Sequence, residues 1–292
     1  MRTGISVSLA ALISAAFFSS CQKEVDSNIL NQFTEDSTYL TKEVSLDTTM
    51  PAGQDTAFIS DYFYDSKKRL SGYDFTEVGS GGARFRYDYK LYYNGNDTLP
   101  VRISSIYNGG PDSVVTYLFY TGGFISRDSA VTYQSGIPGV ITKKYYTGLG
   151  GDRYLLKQYD HDPGSGLTTL EDSTIYKRTV SGGNVTFYSD STWSGMGTYY
   201  FMSRIQAAYD NKNSPYNKFP VWYFGYYEHL VSEVSLTGLN NMISYSYTSD
   251  YGPPFAESYT IAYTYNQENY PLVARLTGNS DVNKAVFFYT KL

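Results

Sequence analysis

Hydrophobic and polar side chains alternate along much of this chain. In RFRYDYKLY (residues 84–92), aromatic and aliphatic residues occupy every second position, and charged residues occupy the positions between them. The same period of two recurs in ISYSY (243–247), with Ile243 on the tyrosine face, and in YTIAYTY (259–265). Because alternate side chains of a β-strand point to opposite faces, these segments predict strands with one buried face and one face in water.

Turn-forming residues separate the alternating segments. Clusters rich in Gly, Asn and Asp stand at 94–97, 108–112, 121–123, 148–152 and 162–166. Such clusters are typical of hairpin connections, and only residues 221–231 have the character of a short helix. We therefore predict an all-β fold, an extended, twisted antiparallel sheet of successive hairpins (a meander) that can curl toward a barrel.

The composition agrees with this prediction. The chain contains 33 Tyr, 16 Phe and 26 Gly, while only 17% of its residues are charged. Aromatic residues suit the half-buried surface of a sheet, and Gly suits tight turns. The length of 292 residues is enough for one large domain or two modest ones.

The N-terminal residues have the pattern of a lipoprotein signal. An apolar run from Ile5 to Phe18 has the length of a signal-peptide hydrophobic region. Two serines then precede Cys21, the single cysteine of the chain, in the arrangement that a lipoprotein signal peptidase cleaves. We expect Cys21 to be acylated. The alternatives are an ordinary secretory signal with a chance cysteine, and a free buried thiol.

This signal divides the chain into three parts. We expect residues 1–20 to be the lipoprotein signal peptide and residues 21–57 to be the lipidated N-terminus and a polar tether. Residues 58–292 are then the Tyr-rich antiparallel β domain. More than one acyl chain on one cysteine makes a firm membrane anchor.

The residues after the cysteine have the pattern of a second targeting signal. Gln22, Lys23 and Glu24, with Asp26 close by, resemble the lipoprotein export signal of the Bacteroidota, in which a lysine and acidic residues direct the protein to the cell surface. The resemblance implies a lipid-anchored outer-membrane protein, modified with chains such as palmitate and exposed at the surface. The alternative is a solvated tether without an export signal.

A degenerate hairpin repeat runs through the β domain. YFYDSKKRL (62–70), LYYNGNDTLPV (91–101) and YTYNQENYPLV (263–273) each read as a strand, a turn opened by Asp or Asn, and a returning strand. With AYDNKNSPYNKF (208–219) and the pair Asn240-Asn241, the repeat resembles uncharacterised Bacteroidota lipoproteins with Tyr-rich, YD-like hairpins. The resemblance implies the sheet architecture and no activity.

Charge and motifs exclude several classes of function. The formal net charge is −5, and no basic run or Lys/Arg-rich face stands out, so we expect no nucleic-acid partner. The two histidines are too few for a His-rich metal site. Asp160, Asp162 and Glu171 match three positions of a calcium loop, but Gly164 and Ser165 break the pattern. We expect a plain hairpin loop there, and neither metal nor cofactor.

The sequence favours a binding protein over an enzyme. No nucleophile elbow or catalytic triad is recognisable. Trp193, Trp222 and Tyr223 are the candidate ligand-binding residues, because tryptophan is scarce and stacks well on sugar rings. The leading hypothesis is a surface-anchored, non-catalytic lipoprotein that binds an extracellular glycan or a protein partner. Two alternatives stay open: a periplasm-facing envelope structural or assembly lipoprotein, and a glycan hydrolase using a carboxylate pair.

Overall fold

The chain folds into a closed antiparallel β-barrel. The computed structural model describes residues 37–51, 55–79, 82–122, 124–150, 152–193, 199–219, 238–249, 255–278 and 282–292. Over these residues, sixteen strands follow one another round the wall in chain order, and β1 (Thr38–Asp47) pairs with β16 (Val282–Lys291) to close it. This confirms the predicted all-β meander of hairpins. Within the described ranges, no helix is long and apolar enough to cross a bilayer.

The strands between β1 and β16 vary from six to fifteen residues. They are β2 (Thr56–Tyr64), β3 (Leu70–Val78), β4 (Arg84–Tyr92), β5 (Arg102–Tyr107), β6 (Ser113–Thr121), β7 (Phe124–Gln134), β8 (Ile137–Gly150), β9 (Arg153–His161), β10 (Thr168–Ser181), β11 (Asn184–Trp193), β12 (Tyr199–Asn213), β13 (Asn240–Ser249), β14 (Phe255–Tyr265) and β15 (Pro271–Thr277).

The repeated hairpin motif has a physical basis in its turn residue. Asp65 Oδ1 accepts the backbone N–H groups of Lys67 and Arg69 in the turn between β2 and β3. Asn266 Oδ1 does the same for Glu268 and Tyr270 between β14 and β15. A side-chain oxygen that caps its own turn fixes the hairpin locally, as expected for Asx turns.

The aromatic set of alternating residues points into the barrel. Tyr62, Tyr73 and Tyr89 form one row across β2, β3 and β4, and all three are buried. The segment 214–219, which follows β12, places Phe219 against Tyr62, although β2 lies six positions from β12 in the strand order. The segment therefore crosses the enclosed space, and the rings that it meets face the interior.

A polar network holds the connection between β12 and β13 at the wall. The Asp210 carboxylate accepts the backbone N–H groups of Lys212 and Asn241 and the hydroxyl of Tyr265. Asn240 Nδ2 donates to the Lys212 carbonyl at 2.9 Å. These contacts join the Asp-Asn-Lys segment (210–212) to the distant pair Asn240-Asn241, so the two sequence motifs serve one hydrogen-bond network.

Two sequence predictions need correction. The barrel begins at Thr38, so β1 and the start of β2 lie within the range 21–57 that was predicted to be a tether. Ile243 is 38% exposed, whereas Met242 is 3% exposed and packs in the core. The β12–β13 register shifts at this point, which breaks the alternation that continues from Tyr245 onward. The predicted short helix at 221–231 falls outside the described residues.

Candidate functional site

The outer wall of β1–β4 carries paired charges. Lys42 Nζ lies 3.1 Å from Asp61, and Arg86 contacts Asp74 at 2.6 Å and Asp88 at 2.5 Å. These outward residues neutralise one another across adjacent strands. Exposed pairs of this kind contribute little to stability, but they offset part of the charge on this side of the barrel, where the outward Arg84 and Lys90 of β4 form no ion pair with another described residue.

The outer wall of β5–β9 has a different charge pattern. Its five outward cations are Arg102, Arg127, Lys143, Arg153 and Lys157, and none forms an ion pair with another described residue. The carboxylates of these strands, Asp128 and Asp160, occupy the inward set, because their rows continue through Leu118 and Thr116 into the core. Strand alternation therefore places these five cations and the two carboxylates on opposite faces, and Lys144 is the one cation of these strands that lies inward, beside Asp128.

Aromatic residues interleave with these cations. One outward row contains, in order, Tyr92, Arg102, Tyr117, Ser129, Lys143 and Tyr159, one residue from each of β4 to β9. The neighbouring row contains Phe119, Arg127, Tyr145 and Lys157. We call these two rows together the cationic–aromatic face. Adjacent strands lie about 4.8 Å apart, so a six-strand row spans about 24 Å.

Two of its cations rest directly on aromatic rings. The Arg102 guanidinium lies 3.8 Å from the Tyr92 ring centroid, and that of Arg127 lies 4.0 Å from the Phe119 centroid. Tyr117 and Phe119 remain 42% and 41% exposed. A guanidinium stacked on a ring is held in place while its edge N–H groups stay available for hydrogen bonding. This face can therefore offer fixed positive charge and flat apolar surface together.

The interior holds a buried carboxyl. Glu43 on β1 is 6% exposed, and its Oε2 accepts the hydroxyls of Tyr216 at 2.7 Å and Tyr62 at 3.2 Å. Burial raises the pKa of Glu43, and the two hydroxyl donors oppose this shift only in part. Burial likewise raises the pKa of Tyr216. The cluster fastens the segment 214–219 to β1 and β2 on the opposite side of the barrel, so its role is structural.

The inward carboxylates of β7–β11 are also buried to different degrees. Burial raises the pKa of Asp128, which accepts the Tyr146 hydroxyl at 2.6 Å and lies near Lys144. Burial raises the pKa of Asp190 as well, against a hydrogen bond from Ser203. Asp128 and Asp190 stand on β7 and β11, which are not neighbouring strands. Asp172 on β10, the neighbour of β11, lies close enough to Asp190 for its charge to add to the rise in the Asp190 pKa, so the carboxylate pair of the hydrolase alternative stays a hypothesis.

One predicted binding residue is described, and it lies on the outer wall. Trp193 ends β11, is 40% exposed, and its ring centroid lies 5.1 Å from that of Tyr199. Cys21, Gln22, Lys23, Glu24, Trp222 and Tyr223 fall outside the described residues.

The segment with a partial calcium-loop pattern forms a hairpin turn. Asp162 accepts the backbone N–H of Gly164 at 2.8 Å and the Ser165 hydroxyl at 2.7 Å. Glu171 accepts the hydroxyl of Thr169, while Asp160 belongs to the inward set. Among the described residues, no group of three or more His, Cys, Asp or Glu side chains is placed to hold a metal ion.

Sequence analysis missed the cationic–aromatic face. Its cations are separated by many residues of chain, from Arg102 to Lys157, and only strand pairing brings them together. The available signal was the position of each charge relative to its neighbours. In β7 and β9 the acids stand an odd number of residues from the cations, which places the two signs on opposite faces.

Comparisons with known proteins agree with the barrel. No protein-family model and no curated protein matches the chain. Among solved structures, the chain is similar to a porin-like protein from Bacteroides vulgatus ATCC 8482, with 14% identity and a TM-score of 0.51, covering 87% of this chain and 100% of that one. A porin-like protein from Bacteroides uniformis ATCC 8492 is 11% identical, with a TM-score of 0.47 and coverage of 86% and 96%. At this identity, the first likeness shows the fold alone.

Proposed function

We propose that this protein is a lipid-anchored, non-catalytic envelope protein whose barrel lies outside the bilayer, at the cell surface, and binds an extracellular polymer or protein there. It would belong with the Tyr-rich Bacteroidota lipoproteins that the hairpin repeat resembles. The likeness to a porin-like Bacteroides protein supports an envelope location. The observation that carries the proposal is the polarity of the wall.

Barrels that span a membrane alternate apolar side chains outward with polar side chains inward. Here the order is reversed on the best-packed strands, since Tyr73, Phe75 and Tyr89 point inward while Asp74 and Asp88 point outward. Moving an outward charged row into hydrocarbon would cost several kcal/mol. A wall of this kind favours water on its outer side.

A barrel outside the bilayer needs another attachment to the membrane. Cys21 supplies one, because an acylated cysteine holds the chain at the surface of the membrane. The residues between Cys21 and Thr38 would then act as the tether. The neighbouring Gln22, Lys23 and Glu24 support export to the outer face.

Protease treatment of intact cells tests this location. We expect an added protease to degrade the barrel without lysis, and we expect labelled palmitate to enter the natural protein but not Cys21→Ala. A barrel that resists the protease in intact cells but not in lysed cells would overturn surface exposure. Equal palmitate labelling of the two proteins, or none in the natural protein, would overturn lipid anchoring at Cys21.

Closure of the barrel bears on the periplasmic alternative. An assembly role by strand addition requires a free sheet edge. In the described part of the chain, each strand pairs on both sides, and β1–β16 pairing removes the terminal edge. The strand-addition route therefore has no support from the fold, and the outer face is the better candidate for contact with a partner.

A further inference from the structure

The cationic–aromatic face makes the class of ligand more specific. We propose that this face binds an anionic polysaccharide, with Arg102, Arg127, Lys143 and Lys157 meeting its acidic groups. The rings of Tyr117 and Tyr145 would meet its sugar faces. This inference rests on the proposed function for the location of the ligand, but its test does not.

Charge complementarity is the first argument. The whole chain is acidic, with a formal net charge of −5, yet β5–β9 point five of their six Lys and Arg side chains outward and both of their carboxylates inward, where Asp128 lies beside the sixth cation, Lys144. At one margin of the face, the acid Asp88 is paired with Arg86. A local positive field on an acidic protein selects anions and leaves the remaining surface repulsive to them.

The arrangement of the side chains is the second argument. Cations and rings are interleaved along one row of about 24 Å, interrupted by Ser129, and along a neighbouring row of about 14 Å, which suits a polymer with repeated charge rather than a single small ion. Arg102 is held over Tyr92, so its position is fixed before a ligand arrives. Guanidinium groups form paired hydrogen bonds with carboxylate, sulfate or phosphate groups, and exposed tyrosine rings supply apolar area with a polar edge.

The test measures binding of full-length lipidated protein, purified in nonionic detergent, to immobilised polysaccharides. Polygalacturonate and chondroitin sulfate are the anionic probes, and dextran is the neutral probe. We expect retention by both anionic probes and not by dextran. The affinity should fall by about tenfold between about 50 and 200 mM salt, since a few ionic contacts are screened.

A triple variant and a matched control locate the site. Replacing Arg102, Arg127 and Lys143 with Gln should weaken binding at least tenfold. Replacing Lys42, Arg275 and Lys284 with Gln removes the same charge from β1, β15 and β16 and should leave binding within about twofold. Tyr117→Ala with Tyr145→Ala should weaken binding with little change in its salt dependence.

Three results would overturn the inference. They are equal retention by dextran, equal loss in the two triple variants, and displacement of the polysaccharide by single-stranded oligo-dT at a tenfold lower concentration. The last would make a nucleic acid the preferred ligand. Because the assay uses purified protein, a failure of the proposed cell-surface location leaves these results unchanged.

Discussion

At the scale of single residues, buried polar groups decide how the interior is held. Glu43 lies among Tyr62, Tyr216 and the rings around them, and its Oε2 accepts hydrogen bonds from the hydroxyl groups of these two tyrosines. A carboxyl in this setting is easier to keep neutral than charged, which is why burial raises its pKa. The segment 214–219 depends on this contact.

Glu43→Gln should flatten part of the pH dependence of stability. With a folded-state pKa above its ordinary value of 4.5, Glu43 favours folding most at low pH, and that contribution is lost as the pH rises through the folded-state pKa. We expect the stability of the variant relative to the natural protein to increase with pH, by at most about 1.4 kcal/mol per pH unit. Urea denaturation between about pH 4 and 8 measures it.

Asp47→Asn is the control, with the opposite sign. Hydrogen bonds from Thr49 lower the pKa of Asp47, so its contribution is present at neutral pH and is lost as the pH falls. The variant should lose stability relative to the natural protein as the pH rises from acid. If the Glu43→Gln profile ran parallel to that of Asp47→Asn, the buried carboxyl would not be the cause.

At the scale of elements, the contacts between paired strands restrict substitutions more tightly than the turns do. The period of two in residues 84–92 predicted β4 with its correct bounds, because alternation is a local property. The bulge beside Met242 was not predictable, because it follows from the Asp210 network between distant segments. The face formed by β5–β9 was missed for a related reason, since it exists only once the register is known.

Gly72→Ala should destabilise the β3–β4 pair. A methyl group at Gly72 would lie 2.5 Å from the carbonyl oxygen of Tyr89, and a backbone atom cannot move aside cheaply. We expect a loss of about 1–3 kcal/mol in the free energy of unfolding, as for other overpacked sites. Gly148→Ala is the matched control, because a methyl group there meets nothing within 4 Å. Similar losses in the two variants would refute steric crowding as the cause.

Asp210→Ala should disrupt the hydrogen-bond network that joins β12 and β13. The substitution leaves the Asn241 and Lys212 N–H groups and the Tyr265 hydroxyl without their acceptor. Buried donors without an acceptor cost about 1–3 kcal/mol each, so a loss of at least about 2 kcal/mol is expected in thermal or urea unfolding. Asp162→Ala, at an exposed turn, should cost much less. An equal loss at both positions would contradict the proposed role of the network.

At the scale of the whole molecule, two features underlie the proposed location: the closure of the barrel and the polarity of its outer wall. Hairpin order was readable from the sequence, but pairing of β1 with β16 joins residues more than 200 positions apart and left no local pattern. The alternation of aromatic and charged residues was readable in each strand. Which of the two faces points inward depends on closure of the barrel, and here closure makes the aromatic face the inner one. A closed barrel with charged residues outside is best accommodated in water.

The most direct test is the water accessibility of the outer wall in intact cells. Because Cys21 is the only cysteine and its thiol would be acylated, single cysteines can be placed at the outward residues Ser104, Ser189 and Ser258, with buried Ser60 as the control. We expect a membrane-impermeant maleimide to label all three outward positions and not Ser60→Cys. Protection of the outward positions in intact cells would contradict a wall exposed to water at the cell surface: protection that osmotic lysis relieves would indicate the periplasm, and protection that only detergent relieves would indicate that lipid covers the wall.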